Sequence, residues 1–355
     1  MNYKNYTALS INGQCLKEQG IIEYCRNSHE DYLIHIANFL EEWFNEQDSI
    51  TLQTSGSTGE PKKITVAKKQ MLLSADATAK YFHFQEKQTA LLALPATYIA
   101  GKMMIVRALY SQLNLVCIAP SNNPFEKINK NVAIDFMPLT PTQLNGVNNT
   151  YLVKKILLGG APISHELAEQ CQNLQAEIYH GYGMTETLSH VALRLVNGSN
   201  QSVFYQALPN VSFTQDEREC LIIHAPFLQQ PIITNDIVRL KNNSSFIWQG
   251  RYDNIINSGG IKLQPEVIEE KLTPLIKEPY FISAIPDKVL GEKLCLFIEH
   301  IAYNTYSLQA LKNNMNQCLT KYETPKEIYF IENFSYTNSG KIQRQQTIQQ
   351  FVNSQ

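Results

Sequence analysis

Thr54-Ser55-Gly56-Ser57-Thr58-Gly59-Glu60-Pro61-Lys62 sets hydroxyls, glycines and a lysine side by side. Glycine lets successive backbone N–H groups turn toward a single anion with no Cβ in the way. The hydroxyls add short donors, and Lys62 adds a positive charge on a long stem. That combination grips a polyphosphate. It is not the Walker pattern, which needs four residues between its first glycine and Gly-Lys-Ser/Thr. A flexible Gly/Ser linker has a similar composition. However, Leu52 ahead of the stretch and Ile64 and Val66 after it read as strands, and a linker seldom sits between two strands of one core.

Arg107 is a second candidate. It lies among Met103, Met104, Ile105, Val106, Ala108 and Leu109, on a helix expected from Lys102 to Tyr110. A helix apolar all round is a buried helix, and a buried guanidinium needs an anion. Two readings stand: an Asp or Glu of the chain itself, or a substrate carboxylate held by a bidentate fork.

Two strands then run into glycine turns. Ile156-Leu157-Leu158 leads into Gly159-Gly160-Ala161-Pro162, with Ser164 placed to cap a helix to Cys171. Ile178-Tyr179-His180 leads into Gly181-Tyr182-Gly183-Met184-Thr185-Glu186-Thr187. Ligands of open α/β sheets gather at such strand ends. Gly181 and Gly183 allow close approach around an aromatic ring, Thr185 offers a hydroxyl, and Glu186 suits a hard cation such as Mg²⁺. His35, His180 and His190 read as structural rather than catalytic. Asp236, after Thr234-Asn235, is either a turn residue or a clamp on a pair of hydroxyls. Asn235 tolerates positive φ better than most residues.

These stretches resemble the acyl-adenylate-forming enzymes, a family that includes acyl-CoA synthetases, firefly luciferase and the adenylation domains of peptide synthetases. The matching motifs are Thr54–Lys62, Gly159–Pro162, Tyr182–Glu186, Thr234–Asp236, Gly250-Arg251-Tyr252-Asp253 through Gly259-Gly260 to Pro265–Glu269, and Ser339-Gly340-Lys341-Ile342-Gln343-Arg344. The resemblance spans roughly residues 50–345 and implies ATP, Mg²⁺ and coenzyme A as the small molecules used. It implies that Thr54, Ser55, Gly56, Ser57, Thr58, Gly59 and Lys62 hold the β- and γ-phosphates. Gly160, Ala161 and Pro162 would line the adenine pocket, with Tyr182 stacked on the base beside Gly183. Thr185 would touch the α-phosphate, and Glu186 with Thr58 would hold Mg²⁺. Asp236 and Arg251 would bind the ribose, and Asp253 would be the hinge. In the family a glycine stands at the place of Asn235, which implies a turn there. Gly259 and Gly260 would let the pantetheine arm approach. Lys262 is either a contact to the CoA phosphates or a solvated surface lysine. Lys341 would enter the adenylation site.

Within the family the chain is most similar to the o-succinylbenzoate–CoA ligases of menaquinone synthesis. There an arginine at the place of Arg107 holds a substrate carboxylate near Tyr98 and Gly181. That group often carries a histidine where this chain has Tyr98. Rival readings are another acyl- or aryl-CoA synthetase, and a nucleotide-binding protein without turnover.

The elements that must position these residues follow. The 355 residues allow roughly two domains, and 44% apolar against 17% charged residues allow a large core. A net charge of −2 gives no bulk attraction to nucleic acid or anionic membrane. Seven dispersed cysteines fit a reducing cytoplasm. No signal peptide or stable membrane insertion is expected, and the oligomeric state is left between monomer and homodimer. The expected fold is α/β. A large domain over 1–250, with a small β-subdomain over 197–248, precedes a small mobile α+β domain over 251–355. The resemblance implies a large domain shortened at its N-terminus. Residues 1–48 read as mainly helical, with His29 to Phe44 the clearest helix. Further elements are a helix from Lys68 to Phe82, strands at Leu91–Leu94, Leu113–Ala119 and Val132–Met137 (ended by Pro138), and alternating strands and helix from Tyr280 to Ile331.

Overall fold

A computed structural model describes residues 1–53, 63–301, 305–336 and 342–353. The chain forms two compact units. The first comprises 1–214, 222–232 and 240–247, and the second 215–221, 233–239 and 248–355.

The first unit is built on parallel strands. Glu177–Gly183, Val153–Leu158, Ile134–Leu139, Thr89–Leu92 and Asn114–Cys117 lie side by side in that order, each parallel to the next. Their apolar runs suit a sheet covered on both faces. Leu91, Ile134, Met137, Leu139, Ile156, Leu158 and Ile178 pack with Leu167 and Cys171 of the helix His165–Cys171 into one core cluster. Ser164 caps that helix as expected, its hydroxyl accepting from the N–H of Leu167 at 3.2 Å. Pro138 does not end its strand. It pairs with Leu157 on one side, while the one registered pair on the other side is Ala90 with Phe136, so its missing N–H falls past the end of that ladder. The helix Lys68–Phe82 has the expected bounds and packs on the helix Ile99–Ser111. The strands Ser49–Gln53 and Lys63–Ala67 pair antiparallel, Gln53 opposite Lys63. The phosphate-gripping stretch 54–62 lies outside the described residues.

The helical expectation for the first residues is corrected. Ala8–Ile11 and Gln14–Lys17 form a hairpin, and the first of them adds parallel to Asn114–Cys117 at the sheet's edge. Asn12 and Gly13, at φ 47° and 83°, make its two-residue turn. Helices follow at Gln19–Asn27 and Asp31–Phe44. The strands Tyr205–Ala207, Ser212–Gln215, Cys220–His224, Ile232–Asn242 and Ser245–Arg251 match the expected run of short strands.

The second unit is α+β. Ile261–Leu263, Ile256–Ser258, Gly291–Glu299 and Tyr280–Asp287 form an antiparallel sheet, and Glu327–Ile331 adds parallel to Gly291–Glu299. Side chains alternate across it with a period of two. Ile282, Leu294, Leu296 and Ile298 pack with Ile268 and Leu272 of the helix Pro265–Leu272 and with Leu311 and Met315 of the helix Thr305–Cys318. Phe281, Cys295 and Phe297 face the other way, onto Phe334 and onto Ile348 and Phe351 of the helix Arg344–Asn353. All seven cysteines are free. Among the described residues no helix is long and apolar enough to cross a membrane.

Candidate active site

Arg107 lies on Ile99–Ser111, where every residue from Met103 to Leu109 is buried. It is 2% exposed. Its Nη2 donates to the Ser189 hydroxyl at 2.6 Å, and among the described residues its Nε has no hydrogen-bond partner. Burial pushes its pKa down to about 9, so it stays cationic near neutrality. Among the described residues no carboxylate forms an ion pair with it. The internal-acid reading therefore finds no support, and a hydroxyl stands where an acid was one alternative.

That hydroxyl belongs to a chain with a fixed direction. Thr78 donates to the Ser74 carbonyl at 3.1 Å, so toward His190 Nε2, at 3.2 Å, it is the acceptor. His190 then carries its proton on Nε2, and its Nδ1 accepts from Ser189 Oγ at 3.2 Å. Ser189 Oγ is left to accept from Arg107. Burial, then the Arg107 charge, holds the His190 pKa well below its ordinary value, so the imidazole is neutral.

His180, on Glu177–Gly183, is likewise structural. Its Nε2 faces the Ala161 carbonyl at 3.0 Å, and a carbonyl only accepts, so Nε2 carries the proton. Its Nδ1 accepts from the Tyr205 hydroxyl at 2.7 Å. Burial, followed by Arg194, pushes its pKa down to about 4. The Gly160-Ala161-Pro162 turn is thereby tied to an aromatic wall. Tyr205 stacks on Phe246 at 5.4 Å, and Tyr182 meets Phe246 edge-on at 5.0 Å. Tyr182 is half-buried beside these rings.

Met184 to Ser189 form the turn that carries Thr185 and Glu186. Thr187, fully buried, organises it by accepting from the Met184 N–H at 2.9 Å and donating to the Ser189 carbonyl at 2.7 Å. Gly183 is required here by its own chain. A Cβ would stand 2.3 Å from the Ser189 carbonyl oxygen. Gly181 is less crowded, its nearest neighbour, His190 Cβ, being 3.2 Å from an added Cβ. Thr185 is half-buried, and Glu186 and Tyr98 are exposed. One exposed carboxylate suits a Mg²⁺ that brings phosphate and water as its other ligands. Among the described residues no group of three or more His, Cys, Asp or Glu is arranged to hold a metal.

In the second unit Asp236 is buried, and its Oδ1 accepts from Trp248 Nε1 at 3.0 Å, with Arg251 Nη1 at 3.7 Å. Arg251 Nη2 donates to Asp253 at 3.0 Å, and Asn235 Nδ2 reaches both Asp253 oxygens at 3.1 and 3.2 Å. Asn235 lies inside the continuous strand Ile232–Asn242 and is not at positive φ, which corrects the expected turn. Its polarity serves instead to join Arg218 to Asp253. Gly259 and Gly260 sit at φ 60° and 82° between the paired Ser258 and Ile261, a two-residue turn that accepts glycine most readily at both positions. Lys262 is exposed. Lys341 lies outside the described residues. Sequence reading missed Thr187, Ser189 and Tyr205. Each works through a neighbour distant in sequence or through backbone atoms, which leave no spacing signal.

Residues 10–213 match the family model described as AMP-binding enzyme. The chain is 27% identical to the 2-succinylbenzoate–CoA ligase of Lactococcus lactis, covering 85% of this chain and 71% of that one. It is 26% identical to the Listeria monocytogenes protein of the same name, over 91% and 74%. The solved structure of an acyl-CoA synthetase (AMP-forming)/AMP-acid ligase II-like protein from Dyadobacter fermentans aligns at 36% identity and a TM-score of 0.61, over 92% of this chain and 97% of that chain. The o-succinylbenzoate coenzyme A synthetase of Bacillus subtilis, solved with ATP and magnesium ion, shares the fold at a TM-score of 0.71 and 20% identity, over 87% and 74%. With more than half its length under the family model and a 36%-identical structure matched almost end to end, this chain belongs to the AMP-binding enzyme family.

Proposed function

We propose that this protein is an ATP-dependent acid–CoA ligase whose acid is o-succinylbenzoate, acting in menaquinone synthesis. The observation that carries the choice of acid is Arg107: a buried cation, held only by a hydroxyl among the described residues. A substrate with a carboxylate beyond the reacting one supplies the missing charge, and a guanidinium fork suits it. The relatives named 2-succinylbenzoate–CoA ligase support the same choice.

In the first step a carboxylate oxygen attacks the α-phosphorus of ATP. The bond from that phosphorus to the β-phosphate's bridging oxygen breaks, and pyrophosphate leaves. Charge builds on phosphoryl oxygens, so the work is positioning and electrostatics. Thr54, Ser55, Gly56, Ser57, Thr58, Gly59 and Lys62 hold the β- and γ-phosphates, and Lys341 and Thr185 serve the α-phosphate. Tyr182 stacks on the adenine against the turn at Gly160-Ala161-Pro162, and Asp236 and Arg251 hold the ribose. Glu186 and Thr58 would hold Mg²⁺, whose chemistry is to neutralise phosphate charge. In the second step the small domain turns about Asp253, and the CoA thiol passes Gly259 and Gly260 with Lys262 toward its phosphates. The sulfur attacks the acyl carbon and AMP leaves.

The test is ATP–pyrophosphate exchange with a panel of carboxylic acids including o-succinylbenzoate, followed by CoA addition to the best acid. Strong exchange with o-succinylbenzoate and a CoA thioester afterwards is the expected result. Exchange with another acid keeps the ligase and overturns the role of Arg107. Exchange with no acid overturns the ligase and leaves a nucleotide-binding protein.

A further inference from the structure

Polar side chains from separate elements form one chain inside the first unit. It starts on the helix Lys68–Phe82, where the Thr78 hydroxyl donates to the Ser74 carbonyl at 3.1 Å, one turn back. It crosses to His190, at the start of the strand His190–Leu195, with 3.2 Å between Thr78 Oγ1 and Nε2. It passes from His190 Nδ1 to Ser189 Oγ at 3.2 Å and ends on Arg107 of the helix Ile99–Ser111 at 2.6 Å. Thr78 is fully buried and His190 is 7% exposed.

Each proton along it is placed by the link before. A hydroxyl has one proton. Thr78 commits its own to a carbonyl, so His190 donates from Nε2 and accepts at Nδ1. Ser189 commits its proton to Nδ1, so only its lone pairs face Arg107. Burial and the Arg107 charge keep the imidazole neutral, the state in which Nδ1 can accept. The Ser189 hydroxyl therefore cannot donate toward a ligand without leaving His190.

Satisfying buried groups does not account for the whole chain. A buried polar network is favourable when its members are all partnered and costly when one is left open. Here the last member is open: among the described residues Arg107 Nε has no hydrogen-bond partner. A network built only for the core would close on itself. One that runs from a helix carbonyl to an open cation orients that cation for an anion from outside. Orientation matters at this end, because a planar guanidinium meets a carboxylate in one plane.

We propose that Thr78 and His190 are positioning residues for the acid: through Ser189 they fix the plane of Arg107 that receives the substrate's second carboxylate, and so select a dicarboxylate over a single carboxylate. The inference rests on the ligase reading above and names what sets specificity within it. Both side chains act through Ser189 and Arg107. With the Ser189 proton committed to His190, the guanidinium is the donor left in this cluster for the carboxylate.

The experiment measures ATP–pyrophosphate exchange in the full-length protein with o-succinylbenzoate and with its two analogues that each lack one carboxylate. The analogue that still exchanges keeps the reacting carboxylate and lacks the one held by Arg107. Thr78→Val keeps the side chain's shape but removes the acceptor for Nε2, which frees His190 to move its proton to Nδ1. It raises KM for o-succinylbenzoate about tenfold, the effect of one buried hydrogen bond, with KM for ATP and for the analogue unchanged. Thr78→Ser, which keeps the hydroxyl, restores the wild-type value. His190→Leu shows the same pattern and decides if Thr78→Val does not fold. Should neither analogue exchange, the split between the diacid and ATP decides. No change in KM for the diacid, or a rise shared with ATP or with the analogue, overturns the inference, because loosened packing acts on all of them alike. A wild-type protein that does not exchange o-succinylbenzoate overturns the acid proposed above and this inference with it, an outcome distinct from a lost split.

Discussion

Arg107 and Arg344 are the same side chain under two rules. Arg344 sits between helix and strand in the second unit, and its charge is met by Glu269 of the same chain. Arg107 sits deeper, among Met and Ile side chains in the first unit, and its described partner is neutral. A cation needed for architecture is balanced by an acid folded beside it. On the function proposed above, a cation whose described partner is only a hydroxyl keeps its charge for the substrate. The distinction lies in the partner and not in the arginine, so sequence inspection of either residue alone could not draw it.

The largest expected break in this comparison comes from Arg107→Ala. On the proposed function it removes two charge-assisted hydrogen bonds to the acid, so KM for o-succinylbenzoate rises on the order of 1,000-fold in steady-state kinetics while KM for ATP is unchanged. Unchanged kinetics for that acid sink the assignment. Next is stability. Arg344→Met leaves the half-buried Glu269 without its guanidinium and lowers the unfolding free energy by about 2 kcal/mol, whereas Arg107→Met removes a buried charge with no acid partner among the described residues and leaves it equal or higher. Urea unfolding of both variants checks this, and equal losses erase the contrast. The smallest effect is on pH dependence. The folded pKa of Glu269 is raised above its ordinary value of 4.5. Its contribution to stability is therefore fully present below pH 4.5 and is lost as pH rises through the folded pKa. Glu269→Gln removes that titration, so its stability relative to wild type improves as pH rises above 4.5. Urea unfolding at a series of pH values reads the sign, and a shift in the other direction means that Arg344 outweighs burial.

Much of the fold was legible where one signal dominated. Lys68–Phe82 and Asp31–Phe44 carry helical periodicity without competitors. The glycine turns after Leu158 and after His180 follow strands as expected. The first hairpin was missed although Asn12-Gly13 is a strong hairpin turn, because the helical pattern of the residues after it was extended backward. Pro138 was read as a stop because sequence does not say where a neighbouring ladder ends. In the site, the residue types proposed to face a ligand were visible as motifs. Ser189 was not, since its partner Arg107 lies far along the chain; Thr187 works through nearby backbone atoms, which leave no pattern; and Glu269, though inside a matching motif, gave no sign of its partner Arg344.

The turn at Gly259-Gly260 has a consequence for how such chains change over time. Its two left-handed positions join Ile256–Ser258 to Ile261–Leu263, so folding alone is enough to retain both glycines. A descendant that passed its acyl group to some acceptor other than CoA would lose nothing by keeping them and would strain its hairpin by replacing them. The glycine pair is therefore held by the hairpin itself, whether or not a thiol passes it.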